Sequence, residues 1–278
     1  MDKYKKILRG LSHEEYEHPF DKAALDVMEK PFLDLVPNPI PVIGKWVTST
    51  FIERIFRVQY TGSNLKVTRD NYPKIFEYLD YACEILDVRN KPELYIQWGY
   101  DINAFTVGAE NPIIVLNSGL IDLCDDDETL FVIGHELGHI KSNHMLYHMM
   151  AQYMNALISL APGAITKLIT ASVQYSLYYW YRMSEFTADR AGLLCCQDKS
   201  AAVRAFMKMA GVPKTHFNDL NMETFIQQAR DFKQLDEEGM NKLVKTVSIA
   251  DDNHPWTVMR ASELLKWINE GEYDKFVN

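Results

Sequence analysis

The chain has 278 residues, 47% of them apolar and 24% charged, the composition of a folded globular protein and not of a disordered one. Its 29 Lys and Arg against 38 Asp and Glu give a net charge of −9, and with no basic cluster this argues against nucleic acid as a partner. Four cysteines (Cys83, Cys124, Cys195 and Cys196), without a C-x-x-C pair, are too few for a disulfide framework and cannot form a structural zinc knuckle, so a reducing compartment and a cytoplasmic location are expected.

In chain order, residues 1–10 are basic and lack the apolar core of a signal peptide. The first 60 residues read as mainly helical, and the proline-rich run from Pro37 to Pro41 marks a turn. Ile43, Val47, Phe51, Ile55 and Val58 recur at helical spacing, and Gly62-Ser63-Asn64 closes that helix. Leu65-Lys66-Val67 reads as a short strand, and Asp70–Asp87 as an amphipathic helix. Three β-prone pieces follow, Leu94–Trp98, Ala104–Val107 and Ile113–Leu116, separated by Gly99, Gly108 and Asn111-Pro112, so a small sheet of hairpins is expected. Beyond Leu116 nearly everything reads as helix. The fold class is therefore α+β, predominantly helical, with one small sheet.

His135-Glu136-Leu137-Gly138-His139 is an H-E-x-x-H motif. Residues four apart on a helix differ by about 40° in direction, so both imidazoles can reach one Zn²⁺, with Glu136 beside them to take a proton from water activated there. Chance would produce the motif about 0.015 times in a chain of this composition. Asp125-Asp126-Asp127-Glu128 supplies the N-cap and acidic first turn of the required helix, and Leu130, Ile133, Leu137 and Ile140 its buried face. A third ligand is needed. Ser142 and Met145 stand where an extended H-E-x-x-H-x-x-G-x-x-H motif would place Gly and His. On a continuous helix His144 points about 140° from His139 and His148 lies nearly opposite, so both are expected on a polar helix face. Glu185 and Asp189, four apart in Ser184–Gly192, offer the alternative of a glutamate ligand, with Asp189 accepting the outer N–H of a ligand histidine. Alone, E-x-x-x-D is a common solvated helix face; its setting beside Ala191-Gly192 and downstream of H-E-x-x-H favours the metal reading.

His135-Glu136-x-x-His139 followed by Glu185-x-x-Ala188-Asp189 resembles the gluzincin metallopeptidases of family forty-eight, the group of HtpX and the CAAX prenyl proteases. Asn103-Ala104-Phe105 resembles that family's N-A-F edge strand, and His254-Pro255 with Arg260 its H-P…R motif. The resemblance spans roughly 63–270, which divides the chain into an N-terminal helical extension, 1–62, and a zinc metallopeptidase domain, 63–278. It implies a zincin-like fold with one Zn²⁺ per chain held by His135, His139 and Glu185, Glu136 as general base, and Asp189 orienting a ligand histidine. It further implies that Asn103, Ala104 and Phe105 hold substrate backbone, that His254 stabilises the oxyanion, and that Arg260 braces His254 or a nearby carboxylate. Simpler readings stand beside three of these: a turn residue for Asn103, a helix cap for His254, a surface ion pair for Arg260. Thr106 and Trp256 depart from the family's common residues, Ala and Pro, at positions able to alter the substrate pocket.

Met145–Thr166 contains no Asp, Glu, Lys or Arg over 22 residues. His148, Gln152, Asn155 and Ser159 form a polar stripe that a helix in lipid would not readily carry. Pro162-Gly163 turns the chain, and 145–182 reads as a helical hairpin inserted in the domain. It has three readings: a roof over the substrate groove, a contact with a second copy, or a peripheral contact with a membrane. The expected activity is metalloendopeptidase hydrolysis of a peptide or protein by a zinc-activated water. The alternatives are a zinc-binding scaffold with little turnover and a narrow peptide-processing exopeptidase.

Overall fold

The computed structural model describes residues 5–26, 51–152, 171–234 and 256–278. Its sheet has four strands, β1 (Leu65–Lys66), β2 (Glu93–Gln97), β3 (Ala104–Val107) and β4 (Ile113–Asn117), in the order β1-β2-β4-β3. β3 and β4 form the expected antiparallel hairpin, with Phe105 opposite Val115, and β1 pairs antiparallel with β2. The adjacent β2 and β4 are instead parallel, with Tyr95 opposite Val115. The cause lies in β4: all five of its residues are buried, so it takes an inner position, and the half-buried β3 is passed to the edge.

Alternation along the strands separates two apolar layers. Leu94, Ile96, Ile114 and Leu116 face the main core with Leu79, Ile85, Leu130 and Ile133. Tyr95, Val107, Ile113 and Val115 face the other way, where Tyr60 of the Phe51–Ser63 helix meets Phe105 edge to face. Residues 43–50 of the helix expected there lie outside the described residues. The Pro73–Ile85 helix, opened by its proline, buries Ile75, Tyr78, Leu79, Ala82 and Ile85 on the main-core side.

At the centre of that core runs the motif helix, Asp126–Lys141, buried on every side from Glu128 to His139. The expected N-cap is Asp125, and it is part of a capping box: Asp125 Oδ1 accepts from the Glu128 N–H at 2.9 Å, and Glu128 Oε2 accepts from the Asp125 N–H at 2.8 Å. The wholly buried Glu128 carboxylate is neutralised by Arg204 at 3.0 Å and Lys208 at 2.6 Å. The long helix Ala171–Cys196 packs along the motif helix, and glycines set their approach. A Cβ on Gly134 would stand 2.4 Å from Cys195 Cβ, and one on Gly138 2.6 Å from Ala191 Cβ. The four cysteines are free thiols.

The described part of the N-terminal extension lies against this core. Leu8, Leu11 and Tyr16 are buried in it, the Leu8 N–H donates to Ile85 O, and Arg190 donates to the carbonyls of Tyr16 and Glu17. No helix among the described residues is long and apolar enough to cross a membrane. The middle of the expected hairpin, 153–170, lies outside them. Its flanks, Met145–Gln152 and the first half of the long helix, pack together through Met149, Leu177, Trp180 and Met183.

Candidate metal centre and active site

His135 and His139 stand one turn apart on the motif helix with their Nε2 atoms 3.2 Å apart. Glu185 reaches across from the long helix, its Oε2 3.4 Å from His135 Nε2 and its Oε1 3.3 Å from His139 Nε2. These separations suit three corners of a tetrahedron whose arms are about 2.0–2.1 Å, the shape of a catalytic zinc site with its fourth position open. All three side chains are buried, and two imidazole nitrogens with a carboxylate oxygen converging on one point are a donor set that suits zinc. The glycine contacts explain the convergence: a donor triangle this small, drawn from two helices, needs their backbones almost touching.

Behind His135, Asp189 Oδ1 lies 3.0 Å from Nδ1. Arg260 grips that carboxylate with two bonds, Nε to Oδ2 at 2.9 Å and Nη2 to Oδ1 at 2.6 Å, and its Nη1 is 3.4 Å from Glu185 Oε2. Arg260 is thus a buried fork on Asp189 and not a surface pair. Burial pushes the Asp189 carboxyl up, but the Arg260 charge outweighs it and holds the group below the usual carboxylate range. Burial likewise works to lower the His135 pKa, yet the Asp189 and Glu185 carboxylates raise it to about 9 in the metal-free protein. For His139 burial prevails and the pKa falls, with His135 and His144 adding to the effect.

Glu136 lies in a cavity of about 500 Å³ bordered by β3, the motif helix and the flanks of the hairpin segment. Asn103, Ala104, Phe105 and Thr106 line one wall; Met145, His148, Tyr178 and Tyr181 line the other. β3 is an edge strand, and no strand pairs its outer edge among the described residues. The Phe105 ring packs edge to face on Tyr60. Thr106 instead faces Glu136, and its Oγ1 donates to Oε2 at 2.6 Å. The period of two along β3, which puts Ala104 and Thr106 on one face, was the available signal for that contact. His254 lies outside the described residues.

The expectation for His144 and His148 is corrected. Both are buried, and with His139 they form a second cluster of close imidazoles. His144 Nδ1 is 3.0 Å from His139 Nδ1, and His148 Nε2 is 2.8 Å from Ser184 Oγ. The expectation assumed an unbroken helix. The motif helix stops at Lys141, Asn143 takes a left-handed φ of 57°, and the chain turns back over His139.

The profile of Peptidase family M48 matches residues 77–268. The chain is 28% identical over 269 residues to the plastoglobule-localized metallopeptidase 48, chloroplastic, of Arabidopsis thaliana, covering 96% of this chain and 76% of that protein. It is 27% identical over 146 residues to a protease HtpX homolog of Salinibacter ruber, covering 52% of this chain and 46% of that one. Against the protease HtpX of Xylella fastidiosa it is 31% identical over 74 residues, 26% of this chain and 25% of that protein. With the profile running from the Pro73–Ile85 helix to the Thr257–Asn269 helix, through both helices that carry the buried donors, the chain belongs to peptidase family M48 and is a zinc metallopeptidase.

Proposed function

We propose that the protein is an endopeptidase that binds one zinc through His135, His139 and Glu185 and uses Glu136 as its general base. The observation that carries this reading is the buried donor triangle opening on a cavity that also holds Glu136 and a strand edge left unpaired among the described residues. Zinc bound there would supply a Lewis acid to the attacking water and to the scissile carbonyl. The outer edge of β3, at Asn103, Ala104 and Phe105, takes an extended substrate main chain as an added strand, which reads backbone and tolerates varied side chains. A strand edge holds substrate by its main chain and not by a terminus, which favours internal cleavage over trimming of ends. Glu136 accepts the proton of the attacking water and delivers it to the leaving amine. Asp189, locked by Arg260, fixes His135 with its proton on Nδ1 and Nε2 free to ligate. His254 is assigned the oxyanion on the H-P…R spacing. No covalent enzyme intermediate is needed.

The substrates are peptides or proteins. The hairpin flanks that wall the cavity support the roofing role for 145–182 over an oligomer or membrane contact. The name of the Arabidopsis relative places that protein at chloroplast plastoglobules. For this chain we propose a reducing compartment, the cytoplasm or a membrane surface facing it, on the strength of its free thiols. The test is casein digestion by wild type and Glu136→Gln with zinc measured on the same samples. Internal fragments from wild type, and none from a variant that keeps its zinc, are expected. Equal cleavage by the variant overturns the mechanism, and release of terminal residues alone overturns the endopeptidase assignment.

A further inference from the structure

We infer that Asp21 and His144 are positioning residues that fix the tautomer of His139, so that the N-terminal segment completes the metal centre. The inference rests on His139 being a zinc ligand through Nε2. Two of the three donors in this centre are imidazoles, and each must present a lone pair at Nε2, which leaves its proton on Nδ1. For His135 that proton goes to Asp189. For His139 the only atom within hydrogen-bond distance of Nδ1 among the described residues is His144 Nδ1, at 3.0 Å. Two imidazole nitrogens can bond each other only if one carries the proton and the other does not. His139 Nδ1 is therefore the donor and His144 Nδ1 the acceptor, which puts the proton of His144 on Nε2. That atom lies 3.3 Å from Asp21 Oδ2, a group that accepts only. The chain of donations from His139 to His144 to Asp21 thus has one consistent direction, and it ends on a buried carboxylate.

Asp21 is itself held in register. Thr187 lies on the long helix between Glu185 and Asp189; its hydroxyl donates to Asp21 Oδ2 at 2.5 Å and accepts from the His18 N–H at 3.0 Å. Arg190 ties the Tyr16 and Glu17 carbonyls to the same helix. Asp21 lies outside residues 77–268, the part that matches the family profile, so a segment beyond that match supplies the support for one of the two ligand imidazoles.

The test measures zinc affinity by chelator competition on the full chain, for wild type, Asp21→Ala and Lys5→Met. Lys5 docks the same segment through Asp127 and takes no part in the chain of donors, so its variant isolates a general loosening. Asp21→Ala is expected to weaken zinc about 10–100-fold, the usual effect of losing the partner of a ligand histidine, while Lys5→Met stays near wild type. Equal affinity in Asp21→Ala, or an equal loss in Lys5→Met, overturns the inference. Long-range imidazole ¹H–¹⁵N correlation on the zinc-loaded wild type needs no variant. A proton on His144 Nε2 is expected, whereas a proton on its Nδ1, or a second metal bound there, overturns the inference. A wild type that binds no zinc fails the underlying site assignment instead.

Discussion

As the proposed general base, Glu136 has to be free to move a proton yet fixed in direction, and its hydrogen bond from Thr106 meets the second condition. That 2.6 Å hydrogen bond engages Oε2, one of the two carboxylate oxygens. A hydrogen bond to a charged group is worth about 1.5–3 kcal/mol, and about 1.4 kcal/mol corresponds to tenfold in rate. Thr106→Val, close in shape and without the hydroxyl, is expected to lower kcat about tenfold with zinc content unchanged. A variant with wild-type kcat would show that Glu136 is positioned by other groups. The Arg260–Asp189 pair is the other residue-scale commitment. Arg260→Met removes the two-bond partner of a buried carboxylate and leaves His135 beside it, a change expected to cost at most about 3–5 kcal/mol. Thermal unfolding of the metal-free variant should show that loss, and a Tm near wild type would place Asp189 in a wetter site than the structure gives it.

Two helices carry the centre, and their ends and contact face set its geometry. Asp125 caps the motif helix; burial raises its carboxyl pKa, but the Glu128 N–H and Arg204 outweigh this and hold it below its ordinary 3.8. A depressed pKa stabilises the fold above the ordinary value, and that stabilisation is lost as pH falls through the folded value. Asp125→Ala is therefore expected to cost about 1 kcal/mol at neutral pH, with the difference from wild type vanishing in acid below the carboxylate range. A pH-independent difference would mean that the cap acts through packing. The facing glycines test the contact: Gly138→Ala should destabilise by about 1–3 kcal/mol through overpacking against Ala191, although alanine is the better helix former. Unfolding that shows a gain instead would mean the helices can part without harm. The helix, its cap and the E-x-x-x-D pair were legible in the sequence because each is a local pattern of period 3.6 or a fixed offset. His144 was not, because one left-handed residue, Asn143, cancels the periodicity on which its direction was reckoned.

Across the whole molecule, pieces distant in sequence build one centre: β3, the motif helix, the long helix and Arg260 near the C-terminus border the cavity, and Asp21 near the N-terminus lies behind it against His144. The three main strands were readable as short β-prone pieces set apart by Gly99, Gly108 and Asn111-Pro112. The parallel pairing of β2 with β4 was not, because it depends on which strand is apolar enough to be enclosed on both faces. Asp21 left no local sign at all; its place follows from the docking of residues 5–26 onto the long helix. Among the described residues the same folding leaves two candidate donor sets that share His139: His135 with Glu185, and His144 with His148. Zinc K-edge absorption on the full chain loaded with one equivalent of zinc separates them directly. Two imidazoles completed by oxygen are predicted, at about 2.0–2.2 Å. Three imidazoles, or any sulfur in the coordination sphere, would contradict the centre built from His135, His139 and Glu185.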